Sequence, residues 1–154
     1  MPRFQGVATL AASHVVPPDT IQLVEESYHR CQSEAFFQAF YQRLLTSHES
    51  FPAMFVGTDF QRQNKLLQHS IGLLFVYAKR ANPAILERIA FRHSKGDLNI
   101  APEHYPLFVD SLVGTMKLFD PKYSPELEAA WRQAVAPGID FIISRYPGGR
   151  TPTT

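Results

Sequence analysis

Apolar side chains recur along this chain at intervals of three and four residues, the spacing that gathers them on one side of an α-helix. After Pro17-Pro18, Ile21, Val24, Tyr28 and Cys31 fall on one face, with Asp19 or Thr20 placed to cap its start. Ser33 opens a second run, in which Phe36, Phe37, Phe40, Tyr41, Leu44 and Leu45 wind a single stripe whose only polar group is the Tyr41 hydroxyl. The proline-interrupted stretch Phe51-Pro52-Ala53-Met54-Phe55 breaks regular helix yet carries three large apolar side chains, and reads as a buried corner. Gly57-Thr58-Asp59 then supplies a turn and a cap for a long helix with Phe60, Gln63, Leu67, Ile71 and Leu74 on its face. Gln63 interrupts that apolar face. Gly72, which costs about 1 kcal/mol relative to alanine inside a helix, predicts a close approach by a neighbouring helix there. His69 falls off the stripe and is expected to be exposed.

Asn82 as N-cap with Pro83 in the first helical position predicts the next helix, on which Leu86, Ile89, Ala90 and His93 share a face before Gly96 ends it. A histidine stands where a leucine is expected. Its bland explanation is a core imidazole satisfied by backbone groups or capping the last carbonyls. A loop from Gly96 to Ala101 leads to Tyr105, Phe108, Val109, Leu112, Val113 and Met116, a stripe opened by Pro102 or Pro106. Ser124-Pro125-Glu126 announces the last helix, with Leu127, Trp131, Val135, Ile139 and Ile142 on its buried side and Pro137 expected to kink it. With no alternating run bounded by turn residues, the pattern predicts an all-α fold.

Composition narrows the function classes. The 154 residues suit one domain, expected over residues 19–146, with a flexible extension at 1–18 and a Pro-, Gly- and Thr-rich tail at 147–154. A formal net charge of +1, without a basic stripe, gives no reason to expect nucleic acid or an anionic membrane as partner. No apolar stretch approaches the roughly 20 residues needed to span a bilayer, and the weakly apolar run before Pro17 lacks the flanks of a signal peptide, so a cytoplasmic protein is expected. A lone cysteine, Cys31, reads as a small buried hydrophobe. Phosphate loops, zinc-spaced cysteines and paired histidines are all missing, which argues against a metal held by several side chains. What remains is one histidine on a buried helical face, with a tyrosine and a glutamine on the buried faces of two other helices.

Those three residues, together with Arg92-His93 and the later Pro102-Glu103-His104-Tyr105-Pro106, resemble the globin family, in particular bacterial single-domain haemoglobins and the globin domains of flavohaemoglobins. The resemblance runs from about Thr20 to Tyr146 and implies helices crossing at about 50° around a haem pocket. It implies haem b as cofactor, His93 as the iron ligand, Phe55 packed on the haem and Tyr41 as a distal hydrogen-bond donor. Gln63 matches the distal glutamine and Leu67 the apolar residue that limits the pocket. Matching forward from Phe55 lands instead on Lys65, so Gln61 and Lys65 stay open as alternatives. Tyr105 matches the tyrosine that supports the proximal histidine in flavohaemoglobins, although it lies two residues farther from His93 than in their pattern. The glutamate that joins this tyrosine in flavohaemoglobins has no counterpart in Ile142-Ile143-Ser144-Arg145-Tyr146. The implied function is binding of dioxygen, nitric oxide or carbon monoxide, for oxygen carriage or, with an external reductase, nitric oxide dioxygenation. A gas sensor acting through a partner protein is the alternative.

Overall fold

The computed structural model describes residues 15–147, and no strand occurs among them. Among the described residues seven α-helices follow one another: α1 (Pro18–Cys31), α2 (Glu34–Thr46), α3 (Phe51–Met54), α4 (Phe60–Arg80), α5 (Glu87–His93), α6 (Tyr105–Phe119) and α7 (Pro125–Ser144). Turns of 3-10 helix at Pro83–Ile85 and Pro102–His104 precede α5 and α6. The expected N-terminal extension falls outside the described residues up to residue 14, and the expected tail does so from residue 148.

Three predicted caps form. Ser33 Oγ accepts from the Phe36 N–H at 3.1 Å, Asp59 from the Gln61 N–H at 3.1 Å, and Ser124 Oγ from the Leu127 N–H at 3.0 Å. α1 differs: neither Asp19 nor Thr20 caps it, because Pro17 holds the N-cap position with no side-chain bond and Pro18 is already helical. Pro102 opens the 3-10 turn and Pro106 lies in the first turn of α6, so both candidate prolines start an element.

The core gathers on α7, against which α1, α4, α5 and α6 all pack, while α2 packs on α6. Trp131, Phe36, Phe40, Ile71, Leu112 and Met116 are fully enclosed, and Cys31 is buried among them. α7 runs unbroken through Pro137.

Several local expectations are corrected by packing. Gly72 has nothing within reach of a Cβ, so no helix approaches it. The close approach belongs to Gly138, where a Cβ would stand 2.6 Å from Leu74 Cδ2 and 3.1 Å from Leu86 Cδ1. Only Phe51 of the α3 corner is buried; Met54 is 38% exposed and Phe55 half-buried. The run from Asn82 is also not one helix. Asn82 caps the 3-10 turn, accepting from the Ala84 N–H at 3.0 Å, and α5 starts afresh after Leu86. It ends at Ser94 rather than Gly96, as Ser94 turns extended and its hydroxyl takes the Phe91 carbonyl at 2.7 Å.

Candidate functional site

His93 is the last residue of α5, where a helix normally leaves carbonyls without partners. The following loop returns to fill them: the Leu98 N–H donates to the Arg92 carbonyl at 2.9 Å and the Ile100 N–H to that of His93 at 3.0 Å. Asn99 makes this possible by adopting a left-handed φ of 58°, a conformation its short side chain tolerates. The Asn99 side chain accepts from the Tyr146 hydroxyl at 2.6 Å, and Arg145 pairs with Glu87 at 2.8 Å, tying both ends of α5 to the end of α7.

The imidazole Nδ1 lies 3.2 Å from the Tyr105 hydroxyl, and no partner for Nε2 occurs among the described residues. Burial lowers the pKa of His93, the Arg92 charge lowers it further, and Asp97 opposes both, so the ring is held neutral. Tyr105 is itself buried, which raises its pKa and keeps the phenol protonated. With Nε2 given to a metal, Nδ1 carries the proton and donates it to the Tyr105 oxygen.

In a separate cluster, Gln63 Nε2 donates to the Tyr41 oxygen at 3.1 Å. Burial pushes the Tyr41 phenol up to about 12, against the smaller lowering by Gln63, so the hydroxyl keeps a proton it has not yet donated. The Tyr41 ring is fixed edge-on by Phe40, Phe55 and Phe60, at centroid separations of 5.0, 5.7 and 5.3 Å. Leu67 is buried one turn beyond Gln63, whereas Gln61 and Lys65 are exposed. Tyr41, Gln63 and Phe55 thus form one cluster, with Leu67 next along α4, and His93 pairs with Tyr105 in another. Phe60 joins the first cluster unannounced; its spacing of three residues from Gln63 was the available signal.

α4 and α5, which carry Gln63 and His93, both pack on α7 and make little direct contact with each other. Among the described residues no group of three or more His, Cys, Asp or Glu side chains could enclose a metal ion. One neutral imidazole with a spare nitrogen, apolar Leu67 and Phe55, and a phenol and amide with donor capacity fit instead a metal that brings its own macrocycle, such as haem iron.

No family model matches the chain. It is 27% identical to a flavohemoprotein from Halalkalibacterium halodurans in an alignment 132 residues long that covers 75% of this chain and 31% of that longer protein. A crystal structure from Pseudomonas aeruginosa PAO1, described as structurally highly homologous to a human hemoglobin, matches with a TM-score of 0.81 and 34% identity. That match covers 84% of this chain and 99% of the Pseudomonas chain.

Proposed function

This chain belongs to the globin family, and from that premise we propose that it holds haem b through His93 and binds dioxygen or nitric oxide beside Tyr41 and Gln63. The observation that carries the reading is the direction of the distal hydrogen bond. Gln63 donates to Tyr41, which leaves the Tyr41 O–H free to donate onward from a dry, aromatic setting. The haem would supply a ferrous iron that takes up diatomic gases and places negative charge on dioxygen more than on carbon monoxide. Tyr41 meets that charge with its proton, and Gln63 fixes the orientation of the phenol. Phe55 and Leu67 exclude water, which strengthens the hydrogen bond.

On the proximal side the chain of hydrogen bonds from His93 reaches a neutral phenol, Tyr105, and no carboxylate extends it among the described residues. An imidazole supported in this way pushes less electron density to the metal than one backed by a carboxylate. That favours reversible gas binding as the basal activity. Nitric oxide dioxygenation would draw its electrons from a reductase. The deciding experiment is stopped-flow ligand release from haem-loaded parent and Tyr41→Phe: dioxygen release should accelerate while carbon monoxide release changes little. Equal dioxygen release in both proteins would remove the distal support for the proposal.

A further inference from the structure

We propose that His48 and His104 together bind a divalent transition-metal ion of the zinc and copper class, where the turn after α2 meets the 3-10 turn that leads into α6. The site is independent of the haem reading of His93. Folding brings the two histidines together from distant parts of the chain and sets their rings edge to face, with centroids 5.6 Å apart and planes at 69°. Phe51, buried at the start of α3, packs against both, its ring centroid 6.0 Å from that of His48 and 4.9 Å from that of His104. This separation fits a shared ion. An imidazole nitrogen lies about 2.0–2.1 Å from a bound zinc ion and roughly 1.2 Å from its own ring centre, so two imidazoles at tetrahedral to trigonal angles place their centres about 5.2–5.6 Å apart.

The donor atoms are free for the task. His104 Nδ1 is buried without a hydrogen-bond partner, an arrangement that is costly in the free protein and that coordination relieves. His48 is oriented by Ser50, which brings its backbone N–H to 3.0 Å and its hydroxyl to 2.8 Å of His48 Nδ1. Nδ1 accepts from that N–H in the metal-free protein, which puts the proton on Nε2. When Nε2 takes the ion, the proton moves to Nδ1 and is donated to Ser50 Oγ, the outer hydrogen bond that fixes a ligating imidazole. Both rings thus coordinate neutral, His48 through Nε2 and His104 through Nδ1. No third His, Cys, Asp or Glu joins the pair among the described residues, so water fills the remaining positions of an open site. Imidazole donors select zinc or copper over magnesium or calcium, with copper(II) the tighter of the two. Tyr105 follows His104 directly and places its hydroxyl 3.2 Å from His93 Nδ1, so an ion held here pins the end of α6 that carries that contact.

The test titrates zinc ions into the full chain by calorimetry, in the parent, H48A, H104F, H69A and H93A, with circular dichroism to confirm that each variant is folded. H104F keeps an aromatic ring against Phe51 and removes only the donor nitrogens. H48A and H104F should each bind zinc at least about tenfold more weakly than the parent, the loss expected when a metal site is disturbed. H69A, which lacks an exposed histidine on α4, and H93A should keep the parental affinity. Zinc should raise the thermal midpoint of the parent and leave that of H48A unchanged, because only a site formed in the folded state stabilises it. In nitrogen-15 spectra of the parental histidine rings, zinc should shift His48 Nε2 and His104 Nδ1 and place a proton on His48 Nδ1. Parental affinity in either H48A or H104F would overturn the assignment. So would loss of binding in H69A or in H93A, since the ion would then sit on another histidine; the haem reading of His93 would be untouched by any of these results.

Discussion

The buried polar cluster at Asp120 and the clusters around Tyr41 and His93 differ in how completely their groups are satisfied. Where α1 meets the end of α6, Asp120 accepts from Arg30 at 2.9 and 2.8 Å, from the Ser27 hydroxyl at 2.6 Å and from the Lys122 N–H at 2.8 Å. Trp131 Nε1 completes the group by donating to Ser27 Oγ at 2.9 Å. Burial alone would push the Asp120 carboxyl up, yet these hydrogen bonds and the Arg30 charge hold it down at about 2. The clusters around Tyr41 and His93 are unsaturated by comparison. Tyr41 keeps an undonated proton, and His93 uses one nitrogen of two among the described residues. Among the described residues, the buried side-chain polar atoms without a partner are Asn64 Oδ1 and His104 Nδ1, which belong to the sequence neighbours of Gln63 and Tyr105. A saturated buried network fixes helices relative to one another, whereas unused hydrogen-bonding capacity in a core carries a cost that a ligand can relieve.

The largest effect should come from breaking the saturated cluster. Asp120→Ala leaves Arg30 and Ser27 without their shared acceptor and should cost about 3–5 kcal/mol in urea unfolding, with gas-release rates of the folded protein unchanged. The depressed carboxyl also sets an acid limb. Its contribution is complete above the ordinary carboxylate value near 4 and is lost as pH falls through about 2, a slope that Asp120→Asn should remove.

Substitutions in the unsaturated cluster should invert that pattern, with modest stability changes and clear ligand effects. Tyr41→Phe should raise dioxygen release roughly tenfold or more, about 1.4 kcal/mol, with carbon monoxide release far less affected. Phe55→Ala should release haem to an acceptor protein several-fold faster. Gln63→Leu should speed dioxygen release about threefold, because it removes the support for Tyr41 and not the donor itself. The smallest effect is a pH slope in the haem-free protein. His93 has its pKa lowered on folding, so its contribution is complete above about 6.5 and fades as pH falls towards the lowered value. His93→Leu should flatten unfolding stability across that window.

Local chemistry made much of this legible. Ser33, Asp59 and Ser124 announce helix starts because capping is decided within a few residues, and the stripes around Phe40, Ile71 and Met116 follow from helical spacing alone. His93 stands out for the same reason, as a polar residue on an apolar face. Long-range packing was not legible. Gly72 and Gly138 are both glycines within helices, and only the arrival of Leu74 and Leu86 makes Gly138 the close approach. Ser27, Asp120 and Trp131 are too far apart in sequence to signal a network. Gln63 could not be separated from Gln61 and Lys65 by spacing, since the distinction depends on which side chain faces Tyr41. α5 stops short of Gly96 because the Ser94 hydroxyl bonds back to the Phe91 carbonyl and competes with the glycine for the role of terminator.

Absorption spectra of haem-loaded parent and His93→Ala, ferrous and then saturated with carbon monoxide, bear most directly on whether the spare nitrogen of His93 is an iron ligand. The parent should give a five-coordinate ferrous spectrum that shifts on adding carbon monoxide. His93→Ala should lose it, retain the helical circular dichroism of the fold, and recover the parental spectrum when free imidazole is supplied. Spectra in His93→Ala indistinguishable from those of the parent without added imidazole would contradict the assignment.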